Sequence, residues 1–281
     1  MTGPTTGKAP RIGLALGGGG ARGLAHIAML EVFDELGIKP AVIAGTSAGA
    51  LIGAAYASGV AARDIRAHAE RVLGNRIEFA RRLFGGGRGT LRRLIDFRFL
   101  GSVQVDGKTL TRLVLPEGVV ARLEDTAIPF KVIATDFYAR REMVITQGPL
   151  VEAVAASIAL PGLVAAPPIA GRVMIDGGIT NPVPFNHVRE ASDIVVAIDV
   201  TGGPLEQAGR APGNTDLAFG ASQILMKSIT ALMLEKGGPD ILIAPDIDRF
   251  RVLEFFRVSE IIAAARPAAE KLRKRLGQVL R

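Results

Sequence analysis

The chain reads as an α/β protein built on a parallel sheet, and three observations predict this. "RIGLAL" (11–16) is a short apolar run stopped by four glycines, the mark of a buried strand. "ARGLAHIAMLEVFDELG" (21–37) repeats apolar residues at helical spacing and closes on Gly37, a residue suited to ending a helix. "AVIAG" (41–45) then reads as a second strand, with a second helix over 48–58. Strand, helix, strand, helix in so short a stretch predicts a right-handed connection between parallel neighbours.

Further strands are expected at 130–135, 142–146, 172–175, 193–199 and 240–244, where β-branched residues cluster between turn signals. Helices are expected over 61–73, 107–114, 149–158, 184–190 and 216–235. Residues 257–280 alternate apolar and basic residues at helical spacing and read as a basic surface helix, within a C-terminal segment 251–281. Residues 1–10 read as a disordered leader, and 202–214 as a mobile loop rich in Gly and Pro. One domain over 11–250, without a clear linker, accounts for the pattern.

Composition narrows the function. The 281 residues are 48% hydrophobic, enough for a sizeable core. Zero cysteines remove disulfides, thiolate metal sites and cysteine nucleophiles together, and fit a reducing compartment. No signal peptide is read at the start, so a cytoplasmic location is expected. The uncharged stretch Ala153 to Gly171 is long enough to span a bilayer, but Pro161, Pro167 and Pro168 interrupt it; it reads as buried core. The net charge of +7 concentrates in 71–98 and 266–281, which leaves a mildly acidic body and points to an anionic surface as partner.

"VIAGTSAGALIG" (42–53) carries the chemistry. Gly45, Ser47 and Gly49 spell G-x-S-x-G, the sharp strand-to-helix turn that exposes a serine nucleophile. The plain alternative is that Ser47 only caps its helix. The run "GGGGARG" (17–23) also has two readings. Gly18, Gly20 and Gly23 match G-x-G-x-x-G, the dinucleotide fingerprint, but the second strand ends in Gly45-Thr46-Ser47 without the acidic residue that would hold a ribose. Alternatively, glycine N–H groups at a helix start form an oxyanion hole. Both turns follow neighbouring parallel strands, so both are expected at the carboxyl edge of the sheet, facing each other. Asp176 ends a further strand and precedes Gly177 and Gly178, either as a catalytic carboxylate or as an Asx-type turn.

In that order, "GGGARG" (18–23), "GTSAG" (45–49) and "DGG" (176–178) resemble the patatin-like phospholipase family, in its compact bacterial form. "ASIALPGLVAAPP" (156–168) and "DGGITNPVPF" (176–185) are similar to it as well, and the resemblance covers residues 11–200. It implies a three-layer α/β/α fold with a mostly parallel sheet, and hydrolysis of lipid acyl esters through a Ser–Asp dyad. Ser47 is then the nucleophile and Asp176 the base. Gly18, Gly19, Gly20 and the N–H of Ala48 hold the oxyanion. Arg22 takes the basic position of the loop, where it orients the loop or a phosphate, and Gly23, Gly45, Gly49, Gly177 and Gly178 support the motifs. The reaction so implied runs through an acyl-enzyme on a phospholipid or other acyl ester, without metal or cofactor. The apolar runs "IAL" and "GLVAAPPIAG" are expected to raise the pKa of Asp176. The competing class is a non-catalytic lipid-binding or regulatory protein that keeps the site without turnover.

Residues 75–103 fall outside the motifs. They interleave Phe79, Phe84, Phe97 and Phe99 with arginines, and read as a lid that contacts anionic lipid at the inner membrane face. A helix packed on the body is the alternative. Nucleic acid is not expected, since Trp is absent and no recognition motif occurs. None of the three histidines stands where a triad needs one. His187 follows Ser47 and Asp176 in hydrolase order but is expected away from them.

Overall fold

The first strand–helix–strand–helix run sets the frame of the computed structural model, which describes residues 9–84, 104–204, 206 and 211–280. The strands are β1 (Ile12–Leu16), β2 (Val42–Thr46), β3 (Val105–Asp106), β4 (Phe130–Asp136), β5 (Arg141–Ile145), β6 (Val164–Ala165), β7 (Met174–Asp176), β8 (Ile194–Ile198) and β9 (Ile241–Ile243). The helices are α1 (Ala25–Glu35), α2 (Ala48–Ala57), α3 (Ala62–Leu73), α4 (Arg76–Phe84), α5 (Gly107–Val114), α6 (Leu150–Ser157), α7 (Asn214–Glu235) and α8 (Val258–Val279). Seven strands form one sheet in the order β5-β4-β2-β1-β8-β9, with β7 also pairing with β4. Strands β4, β2, β1, β8 and β9 run parallel. Strands β5 and β7 run antiparallel to β4. The fold is thus mixed α/β with a mostly parallel sheet, as the sequence implies.

Both faces of the central strands are covered, which is why they read as unbroken apolar runs. Alternate residues go to opposite cores. Ile12, Leu14 and Leu16 of β1 and Val196 and Ile198 of β8 face the large core, with α1, α2, α3, α6 and α8. Ala15, Val42, Ala44, Val195 and Ala197 face a smaller core with Val183, Phe185 and Val188. The third layer is therefore thin. It consists of the 182–191 segment and the C-terminal part of α7, where Met233 and Leu234 pack.

One expectation is corrected and another is extended. The helix expected over 184–190 is a pair of 3₁₀ turns, Phe185–His187 and Arg189–Ala191. Pro182 and Pro184 supply no N–H for an α-helical start, and the chain must already turn so that Asp193 N–H reaches Arg11 O at 2.8 Å. The C-terminal helix lies at the surface, but its apolar side is built into the core. Ile261, Ile262, Ala265, Leu272 and Leu276 of α8 are buried in the main core against α1, and only its charged side faces out. There Arg273 pairs with Glu35, and Arg266 with Glu31 at 3.6 Å. The strand expected at 172–175 starts two residues later, and the short parallel pair β3–β6 was not expected. Of the basic segment 75–103, the first part forms α4; residues 85–103, like residues 1–8 of the leader, lie outside the described residues.

Candidate active site

Strand β2 runs into Ser47, and α2 starts at the next residue. Ser47 sits at φ 52° and ψ −120°, a conformation a non-glycine residue adopts only when its surroundings impose it. The surroundings are tight. A side chain on Gly45 would meet Gly49 O at 2.6 Å, and one on Gly49 would run into Leu16 O. Only glycine lets α2 lie this close to β1 and β2. A hydroxyl from α6 holds the turn from behind. Ser157 Oγ accepts the Ser47 N–H at 2.8 Å and donates to Ile133 O at 2.5 Å. Ser157 lies in the "ASIALP" block, but no role was read for it from the sequence. A lone serine on an apolar helix carries no signal for such a tie.

The carboxylate reaches the serine through the sheet. Thr46 lies opposite Ile133 on β4, and Asp176 lies opposite the next residue, Ala134. Parallel β2 and antiparallel β7 therefore run at each other along the same edge of β4, and their ends meet. Ser47 Oγ donates to Asp176 Oδ2 at 2.6 Å. Asp176 Oδ1 accepts the Gly178 N–H at 2.7 Å, closing an Asx-type turn. Asp176 thus closes the Asx-type turn with one oxygen and meets the Ser47 hydroxyl with the other. A side chain on Gly178 would crowd Met226 Cε at 2.7 Å, and Gly177 packs on Ile133 O. Burial pushes the Asp176 carboxyl up to about 6, against the hydrogen bonds from Ser47 and Gly178 that favour its ionised form.

The glycine loop faces the pair but is not equivalent along its length. Gly18 N–H is committed to Pro182 O at 2.9 Å, and Ala21 N–H to Val252 O at 2.8 Å. This corrects the expectation that Gly18 donates to an oxyanion. Gly19 and Gly20 line the cavity together with Ser47, Ala48 and Asp176. Ala48 is the first residue of α2, where a backbone N–H has no partner within the helix. Gly23 lets the loop pack against Ala48, where a side chain would collide with its methyl group. Arg22 is 1% exposed. Its Nη1 lies 3.9 Å from Asp248, and its Nε and Nη2 have no hydrogen-bond partner among the described residues. Burial lowers its pKa.

The cavity measures about 450 Å³, a volume typical of small-ligand pockets. Its walls are mostly apolar, including Leu51, Phe79, Leu110, Leu160, Leu163 and Phe256. The "IAL" segment touches Asp176, whose N–H donates to Ala159 O at 3.0 Å, and Leu163 and Val164 line the same cavity. Helices α4 and α7 both contribute to the lining, Phe79 and Leu83 from one and Phe219 and Met226 from the other.

No imidazole joins the pair. His187 Nε2 bonds Glu142 Oε1 at 2.9 Å. His26 is buried, bonds Gly17 O through Nε2 at 2.8 Å, and burial lowers its pKa to about 4. His68 accepts from Arg71 at 2.9 Å on α3. Two further aspartates at strand ends are occupied elsewhere: Asp136 by Arg172 at 2.7 Å and Asp199 by Lys227 at 2.8 Å.

Fold and site define an α/β protein with a serine–carboxylate pair at the carboxyl edge of a mostly parallel sheet. The chain matches the patatin-like phospholipase family over residues 14–189 and belongs to that family. An uncharacterized NTE family protein of Mycobacterium bovis is 34% identical over 210 residues, which cover 72% of this chain and 53% of that protein. The lysophospholipase NTE1 of Pyricularia oryzae is 28% identical over 278 residues, covering 89% of this chain and 18% of that protein. The chain thus spans about half the length of the mycobacterial relative and under a fifth of the fungal one. Among solved structures, VipD from Legionella pneumophila has a TM-score of 0.50 at 14% identity, over 96% of this chain and 67% of that one. At that identity the likeness concerns the fold.

Proposed function

We propose that this chain is a lipid acyl hydrolase in which Ser47 and Asp176 act as a dyad on a carboxylic ester. The observation that carries the reading is the 2.6 Å contact between Ser47 Oγ and Asp176 Oδ2 inside an apolar cavity. Ser47 Oγ attacks the ester carbonyl as its proton passes to Asp176 Oδ2. The carbonyl oxygen becomes an oxyanion beside the N–H groups of Gly19, Gly20 and Ala48. The tetrahedral intermediate collapses, and Asp176 returns the proton to the departing alcohol. That leaves an acyl group on Ser47. Asp176 then takes a proton from water, whose oxygen attacks the acyl carbonyl; as the acyl–Ser47 bond breaks, Asp176 returns that proton to Ser47 Oγ and the fatty acid is released.

A carboxylate with its ordinary pKa is a weak base near neutral pH. Burial brings Asp176 closer to the operating range, and its second oxygen is fixed by Gly178. The apolar walls suit an acyl chain, which supports a lipid ester over a polar one. The lysophospholipase name of the fungal relative agrees with that substrate class. The basic segment 75–103 supports contact with anionic head groups, which would place the protein at the inner membrane face. The test is Ser47→Ala. Hydrolysis of short and long acyl esters falls to background while the fold is retained; activity near wild type would end this reading.

A further inference from the structure

Helix α7 is apolar on its outer side as well as its inner one, unlike a helix that faces water. Its deeply buried positions include Gly220, Gln223 and Thr230. Its outward stripe is Leu217, Ile224, Leu225 and Leu232, each 55% to 64% exposed. Those four positions fall on one face of an α-helix, so the exposure is a continuous stripe. Charge is kept off it. Asp216 turns back to the N–H of Gly213, Lys227 reaches Asp199 at 2.8 Å, and Glu235 is the last residue.

The inner side of the same helix supplies Phe219, Ser222, Gln223 and Met226 to the cavity that holds Ser47 and Asp176. One helix thickness, about 10 Å, therefore separates the catalytic cavity from whatever covers the stripe. An exposed apolar patch of this kind marks a surface that is covered in use. By length and composition Asp216–Glu235 would pass as a membrane-crossing segment. However, its inner face lines the cavity and Lys227 ties it to the body, so it suits lying along a lipid surface and not crossing one.

We propose that α7 lies in the plane of a lipid surface, with Leu217, Ile224, Leu225 and Leu232 in the acyl layer. Among the described residues, α7 then borders that layer on one side and the cavity of Ser47 on the other. This assignment rests on the acyl-ester reading above for its choice of a lipid surface over a second copy of the chain. It differs from a head-group contact through the basic segment, because apolar insertion survives salt and charge attraction does not.

The test uses Ser47→Ala protein, so that turnover does not alter the vesicles. Phosphatidylcholine vesicles are floated at about 0.5 M salt, where surface attraction is screened within about 3–8 Å. The Ser47→Ala protein is expected to float with them, and adding Ile224→Glu and Leu225→Glu is expected to weaken partition by about tenfold or more. Without Ser47→Ala, the same two substitutions are expected to lower the ratio of vesicle-phospholipid to short-ester hydrolysis by a similar factor. Equal flotation with and without them would overturn the proposal, as would no flotation of the parent at high salt. So would a dimer in size-exclusion chromatography that the substitutions dissociate while vesicle binding is unchanged, since a second copy would then cover the stripe. If the wild type cleaves no ester but the flotation difference is seen, the hydrolase reading fails and the lipid-facing helix stands.

Discussion

Ser47 Oγ lies 2.6 Å from Asp176 Oδ2 because the two strands that carry them run head-on along one edge of β4. A register of consecutive residues, Ile133 and Ala134, sets the gap between the strand ends. The pair is therefore built by backbone pairing and not by long flexible side chains, which is the rigid placement a proton transfer needs.

Removing the base without changing its shape should isolate its chemistry. Asp176→Asn is expected to keep the fold and lower kcat for a short ester by about 10³-fold or more, since the proposed mechanism uses the carboxylate as base in both half-reactions. His187→Ala, His26→Ala and His68→Ala are each expected to retain most turnover in the folded fraction. If His187→Ala were as inactive as Ser47→Ala while still folded, a triad would replace the dyad.

The raised Asp176 pKa makes two pH dependences. The base works ionised, so kcat/KM should rise with pH through about 6 and level off above it. Stability runs the other way. Between its unfolded value near 3.8 and its folded value of about 6, the native state binds the extra proton, so stability is lost as pH rises through that window. Asp176→Asn should then stabilise the protein at pH 8 by an amount on the order of 2 kcal/mol, with the gain vanishing toward pH 4. Chemical denaturation at the two pH values checks it; a destabilised variant at pH 8 would contradict the account.

Ser157 is expected to matter for catalysis without touching substrate. Its hydroxyl accepts the Ser47 N–H and donates to Ile133 O. Ser157→Ala leaves that N–H unpartnered at a conformation the backbone resists, a cost of about 1–3 kcal/mol. The expected result is a lower kcat on a short ester with KM nearly unchanged, together with a lower melting temperature. A lower melting temperature alone, with kcat intact, would make Ser157 a packing residue only.

Much of this was legible in the sequence, for identifiable reasons. The glycine loop, the Ser47 turn and the Asp176 strand end are local signals, each confined to a few residues whose backbone geometry demands glycine or a small polar group. What depended on distant partners was not legible. Gly18 looks like its neighbours in sequence, and only the Pro182 carbonyl, far along the chain, takes its N–H out of the loop's donor set. The apolar stripe of 257–280 has helical spacing whether it meets the core or lies on the surface; contact with α1 decides. Asp176 was readable as base or turn, and its two oxygens allow both. On α7 the apolar composition is visible in the sequence, but the exposure of one apolar side is not, because periodicity shows a stripe and not which side is buried.

The central claim is that Ser47 is an activated nucleophile served by Asp176, and covalent labelling tests it most directly. The wild type is incubated with a fluorophosphonate, digested, and the labelled peptide identified by mass spectrometry. One stoichiometric adduct on Ser47 is expected, with labelling slowed by orders of magnitude in Asp176→Asn and none in Ser47→Ala. Absence of an adduct on the folded wild type, or an adduct at another residue that persists in Ser47→Ala, would contradict it.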